Sequence, residues 1–122
     1  MATFYQAKDS GVKRNNFVQV GLHVVWTTQQ RMPMVRSDME EAIYRCITSE
    51  AERVGASVIA VNGMPDHIHV LLLLPTTVTI ARLVQQIKGV SSSLARDLWP
   101  EHTFHWAKGY GVFAVSRTHL EK

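Results

Sequence analysis

Cysteine is almost missing from this chain: Cys46 is the only one among 122 residues. No internal disulfide can form. Its neighbours place Cys46 on the apolar stripe of a helix, where a small buried hydrophobe is expected. Long hydrophobic runs are missing too. The longest, around Val70 to Leu74, falls well short of the ~20 residues that a membrane span requires. Met1 to Asn16 are polar and lack the apolar segment of a secretory signal. A cytoplasmic location with no membrane is therefore expected. Charge of one sign is also scarce: 13 Lys and Arg stand against 10 Asp and Glu, for a formal charge of +3. That balance permits a polyanionic partner without demanding one. There is no dense Lys/Arg run, so any nucleic-acid site has to be assembled by folding.

What the chain does have is Pro65-Asp66-His67-Ile68-His69-Val70 at the head of an apolar run ending at Leu74. The run reads as a strand, and a strand turns alternate side chains to opposite faces. His67 and His69 then share one face, while Ile68, Val70, Leu72 and Leu74 point into a core. Paired imidazoles on a rigid element can hold a metal ion. They can equally be two polar residues on a half-exposed strand, and the spacing alone does not choose. Asp66 is either a turn residue or a partner that tunes a metal site from behind its ligand.

Residues 1–16 read as a flexible leader and 17–122 as one domain, long enough for a single core. Phe17 to Thr27 alternate as a first strand, with Val18, Val20, Leu22, Val24 and Trp26 on one face and His23 on the other. Ser37-Asp38-Met39-Glu40 has the form of a capping box. It opens a helix with the stripe Met39, Ala42, Ile43, Cys46, Ile47, Ala51 and Val54, which Gly55 ends. Ala56 to Val61 is a second strand, Asn62-Gly63 a turn signal, and His67 to Leu74 the third strand. A second helix starts near Thr79, with Ile80, Leu83, Val84, Ile87, Leu94 and Leu98 at helical spacing. Gly89 within it suggests a close approach or a kink. A polar-aromatic loop from Glu101 to Gly109 leads to a last strand, Gly111 to Val115, and Ser116 would cap a third helix.

The expected order is β-α-β-β-α-β: an α+β, ferredoxin-like fold with an antiparallel sheet and its helices on one face. The first and third strands are then central neighbours, and His23 can lie beside His67 and His69. Leu71 and Leu73 make the third strand apolar on its second face as well. Something should cover part of that face: the leader, a further helix or a second subunit.

Several blocks follow one another in order: His23-Val24-Val25-Trp26, Gly63-Met64-Pro65-Asp66-His67-Ile68-His69-Val70-Leu71, Leu83-Val84 with Ile87-Lys88-Gly89 and the serines 91 to 93, and Gly109-Tyr110-Gly111-Val112-Phe113-Ala114-Val115-Ser116. Together they resemble the single-tyrosine HUH transposases of bacterial insertion sequences and their domesticated relatives, from about Phe17 onward. The resemblance implies a homodimer that binds hairpins in single-stranded DNA and cuts and rejoins the strand through a 5′-phosphotyrosine. It implies that His67 and His69 hold a divalent ion, Mg²⁺ or Mn²⁺. A metal on the scissile phosphate neutralises charge and orients the displacement, and a tyrosyl ester conserves the bond energy for rejoining.

The family's nucleophilic tyrosine and a third metal ligand belong on a helix after Ser116, and the sequence given stops at Lys122. The nucleophile is accordingly expected beyond Lys122, and this polypeptide as given is expected not to complete cleavage. Its own tyrosines are Tyr5, Tyr44 and Tyr110, and Tyr110 is expected to be structural. For DNA contact the candidates are Lys88, Arg82 and His105. Lys88 lies beside small residues that let a backbone approach. His102 and His105 flank Phe104 and Trp106, which could stack on bases or pack over a helix end. The alternative function is a non-catalytic nucleic-acid-binding module of the same topology. No strand carries the paired aromatics that such a module stacks on bases.

Overall fold

The computed structural model describes residues 18–116 and the backbone of residues 3–4. In chain order the elements are β1 (Thr3–Phe4), β2 (Gln19–Thr27), a short 3₁₀ turn (Gln29–Arg31), α1 (Glu40–Arg53), β3 (Ser57–Met64), β4 (His67–Pro75), α2 (Ile80–Leu98) and β5 (Gly111–Val115). The sheet order is β1-β3-β4-β2-β5, with every pair antiparallel. Removing the two-residue β1 leaves the expected β-α-β-β-α-β arrangement, with β2 and β4 central. The rest of the leader and the helix expected after Ser116 lie outside the described residues.

One core joins both helices to one face of the sheet. Leu22, Val24 and Trp26 of β2 meet Ile68, Val70 and Leu72 of β4, with Ile43 and Ile47 of α1 and Leu83, Val84 and Ile87 of α2 above them. The period-two and helical stripes therefore meet where they were expected. Their ends differ. Val18 and Val20 remain 58% and 40% exposed, because the helices cover β2 only from Leu22 onward. In the second half of α2 the buried stripe runs through Ser91 and Ala95, leaving Leu98 exposed.

The capping box does not form. α1 begins at Glu40 with Met39 at its cap and no side-chain bond there. Asp38 is held instead by Arg36, 3.0 Å away, and Met39 N donates to Arg36 O. Asn62-Gly63 is likewise not the turn. Both lie in β3, opposite His69 and Ile68, and Pro65 with Asp66 makes the reversal between Met64 and His67. Gly63 is needed for proximity: a Cβ there would sit 2.6 Å from His67 O and 2.9 Å from Ile68 Cδ1. Gly89, by contrast, has nothing within 4 Å of where its Cβ would lie, so it marks no close approach. Cys46 is half-buried rather than fully enclosed.

Candidate metal centre and its surroundings

The second face of the sheet carries the histidines. Alternation along β4 sends Ile68, Val70 and Leu72 into the core and leaves His67, His69, Leu71 and Leu73 half-buried opposite. On β2 the same alternation turns His23 outward, because Val24 and Trp26 point in. The antiparallel register then brings His23 opposite Leu71, two pairs from His69 opposite Val25 and on the same face.

The His67 and His69 rings lie 4.8 Å apart at 79° to one another. They share a face, as the spacing predicted. His23 joins them: its ring stacks on His69 at 5.1 Å, and His23 Nε2 lies 2.9 Å from His69 Nδ1. On the other side His67 Nδ1 donates to Asp66 Oδ1 at 2.7 Å. Asp66 Oδ2 in turn meets Arg31, 3.2 Å from Nη2 and 3.3 Å from Nε. Asp66 is thus both turn residue and histidine partner. The hydrogen bond from His67, followed by the charge of Arg31, holds its carboxyl below the usual range. It stays ionised and can only accept, which fixes the His67 proton on Nδ1. Burial, then the charges of His23 and His67, pushes the His69 imidazole down.

Both Nδ1 atoms are therefore engaged, and no hydrogen bond uses either Nε2 among the described residues. A metal-ligating histidine characteristically has its far nitrogen held in this way. Two imidazoles on one face are chemically compatible with a divalent ion. Among the described residues no group of three His, Cys, Asp or Glu is arranged to hold one. Beside the pair is a shallow cleft of about 220 Å³ lined by His23, Ala60, Asn62, His69 and Leu71.

A second groove, about 280 Å³, runs between α2 and the loop before β5, with Lys88, Gly89, Ser92, Arg96, His105 and Lys108 on its walls. Lys88 and His105 come together there, and Arg82 does not line it. Lys88 Nζ donates to Ala107 O at 2.7 Å and Gly109 O at 2.9 Å, so two of its three donors strap the loop to α2. Burial pushes its ammonium down. Phe104 is buried, and Trp106 packs edge-on against Phe104 and Trp26 and donates to Ser91 Oγ. These aromatics close the core and are not offered to bases. Tyr110 is 44% exposed at the entrance to β5. Tyr44 lies on α1, where burial and then Glu40 push its hydroxyl up to about 12.

Two residues of this region were not legible as site residues. Asn62 was read as a turn, though its register opposite His69 follows once the reversal is moved to Pro65-Asp66. Nothing in the local sequence pattern of Arg31 announced Asp66 as its partner.

Fold and face together describe a small α+β domain with a histidine pair on its open sheet, and the chain belongs to the family described as transposase IS200 like, whose model matches residues 16–122. Among its relatives is the ISDra2 transposase TnpA of Deinococcus radiodurans, 25% identical over 111 residues that span 84% of this chain and 78% of that protein. A Deinococcus radiodurans crystal structure assigned as a transposase superposes with a TM-score of 0.78 at 22% identity, covering 88% of each chain. A REP-associated tyrosine transposase bound to a REP hairpin superposes at 0.63 with 13% identity, over 91% of this chain and 68% of that one. DNA transposition is therefore the activity of the family to which the chain belongs. No helix among the described residues is long and apolar enough to cross a membrane.

Proposed function

We propose that this domain binds single-stranded DNA carrying hairpins and takes part in metal-assisted strand cleavage and rejoining through a 5′-phosphotyrosine. His67 and His69 would hold a divalent ion, Mg²⁺ or Mn²⁺, through their Nε2 atoms. The observation that carries this reading is the engagement of both Nδ1 atoms, by Asp66 and by His23, on the exposed face of the sheet. When bound, the ion would supply charge neutralisation and alignment at the scissile phosphate. The chain's own groups do the rest. Asp66 keeps the His67 proton on Nδ1, and in the tautomer with the His69 proton on Nδ1, His23 Nε2 accepts it, which leaves the Nε2 lone pair of each histidine for the ion. Family membership supports DNA as the polymer, and the hairpin in the REP-bound neighbour supports the hairpin as the recognised element.

Neither described tyrosine suits the nucleophile's role. Tyr44 sits in the helix layer behind the sheet, and a hydroxyl pushed up to about 12 is harder to ionise than an ordinary one. Tyr110 matches the family's glycine-flanked block at the start of β5. On this reading the nucleophile is neither of the described tyrosines. For DNA contact, Arg96, His105 and Lys108 along the α2 groove, with the spare donor of Lys88, suit phosphate oxygens. Arg82 stands exposed in the first turn of α2, off that groove. A second copy of the chain is the expected partner; the described residues leave the outer edge of β5 without a neighbouring strand and Phe113 59% exposed on it.

The test is Mn²⁺ binding followed by calorimetry, with and without hairpin single strands. Weak binding by the protein alone, strengthened by hairpin DNA and abolished in His67→Ala/His69→Ala, is expected. Binding indifferent to that double change would overturn the metal assignment. Salt-sensitive hairpin binding with no response to metal would point instead to a non-catalytic nucleic-acid module.

A further inference from the structure

The turn that follows β2 is strained, and its strain is aimed at the histidine pair. Gln30 and Arg31 have φ of 56° and 55°, two successive left-handed residues that both carry side chains. That region favours glycine, and such outliers persist only where their surroundings over-determine them. The surroundings here do. Thr28 is fully buried, its Oγ1 donates to Met32 O at 2.5 Å, and its N donates to Asp66 O at 2.9 Å. Gln29 N donates to His105 O at 2.9 Å and Arg31 N to Thr28 O at 3.0 Å. The turn is pinned on both flanks while its apex is forced into an unfavourable conformation.

What that conformation delivers is the Arg31 guanidinium. Nε and Nη2 both approach Asp66 Oδ2, while Oδ1 is left for His67 Nδ1. A carboxylate divided in this way cannot rotate without giving up one partner. The Arg31 side chain is 63% exposed, and exposed ion pairs contribute little to folding. The bonds of Thr28 and Gln29 hold the strained turn in place, and the Arg31–Asp66 pair itself adds little to stability.

We propose that Arg31 is a positioning residue: it clamps one oxygen of Asp66 so that the other holds the His67 proton on Nδ1 and leaves Nε2 free as a ligand. The inference rests on the metal reading of His67 and His69 and adds a relay, Arg31 to Asp66 to His67, running from the strained turn to the ligand. The guanidinium matters here as a two-pronged donor, which an ammonium does not reproduce.

The experiment pairs two readouts on the full chain. The first is the ¹⁵N spectrum of the His67 imidazole without metal, which reports its tautomer. The wild type is expected to show the Nδ1–H form, Arg31→Ala a mixture, and Arg31→Lys a partial return. The second is Mn²⁺ affinity, expected to fall about 10-fold in Arg31→Ala and to show no further fall when that change is added to Asp66→Ala. An unchanged His67 tautomer in Arg31→Ala, or equal losses of affinity in both Asp66 backgrounds, would overturn the proposal. A wild-type chain that ignores Mn²⁺ would remove the metal reading, and the metal-free spectra would then decide the role of Arg31 by themselves.

Discussion

His69 shows how far one residue's chemistry follows from its place. Its period-two spacing from His67 assigns the face, and the central position of β4 assigns the neighbours, so the cluster of His23, His67 and His69 was legible from alternation and topology. Arg31 was not, because its partner is set by two left-handed residues that no propensity favours. The same placement gives His69 a pH signature. Burial, then the charges of His23 and His67, lowers its folded pKa below the ordinary 6.5, with the Asp66–Arg31 pair lying beyond His67. The native state then binds fewer protons than the unfolded one between those two values, and stability rises with pH across that window. Acidification from pH 7 through 6.5 is expected to cost stability until the folded pKa is passed. Urea denaturation at a series of pH values should show this slope, and His69→Asn should flatten it.

Helix starts divide into one that reads correctly and one that does not. α2 starts where expected, and Thr79 caps it, its side chain accepting from Arg82 N at 3.1 Å. Ser37 has the better motif and caps nothing, since Arg36 draws Asp38 aside and the chain enters α1 through buried Met39. The competing partner is two residues away, but a pattern of caps does not weigh ion pairs against them. Thr79→Ala is therefore expected to destabilise by about 1 kcal/mol, while Ser37→Ala, with no cap to lose, stays near zero. Thermal melts of the two variants side by side would check the contrast. Asn62-Gly63 failed for a related reason: glycine answers both to turns and to crowding, and here His67 O supplies the crowding.

Across the whole molecule, the order from β2 to β5, the layer arrangement and the core were readable, because each stripe has one face to bury and the topology leaves one way to bury them together; β1, paired with β3 inside what read as a flexible leader, was not. The role of Lys88 was not readable. Beside Gly89 and a run of serines it looked like a phosphate contact, yet its ammonium bridges α2 to the carbonyls of Ala107 and Gly109. That strap fixes where β5 enters the sheet. Lys88→Met is expected to destabilise by about 1–2 kcal/mol, for the loss of two charge-assisted bonds at a partly exposed site. Chemical denaturation would measure it, with the same change in salt-dependent DNA affinity showing whether the third donor reaches phosphate.

The tip of the β3–β4 hairpin is stitched at both of its residues, Val35 N to Pro65 O and Thr28 N to Asp66 O, each at 2.9 Å. Such tips ordinarily fray first. This one cannot loosen alone, because the segment from Thr28 to Val35 must peel away with it, and that segment is moored to the core by Trp26 below and Met39 above. The imidazoles next to the reversal thus inherit the rigidity of the interior: a nucleic acid arriving at this rim would have to bend to the protein, since the rim has no slack with which to bend to it.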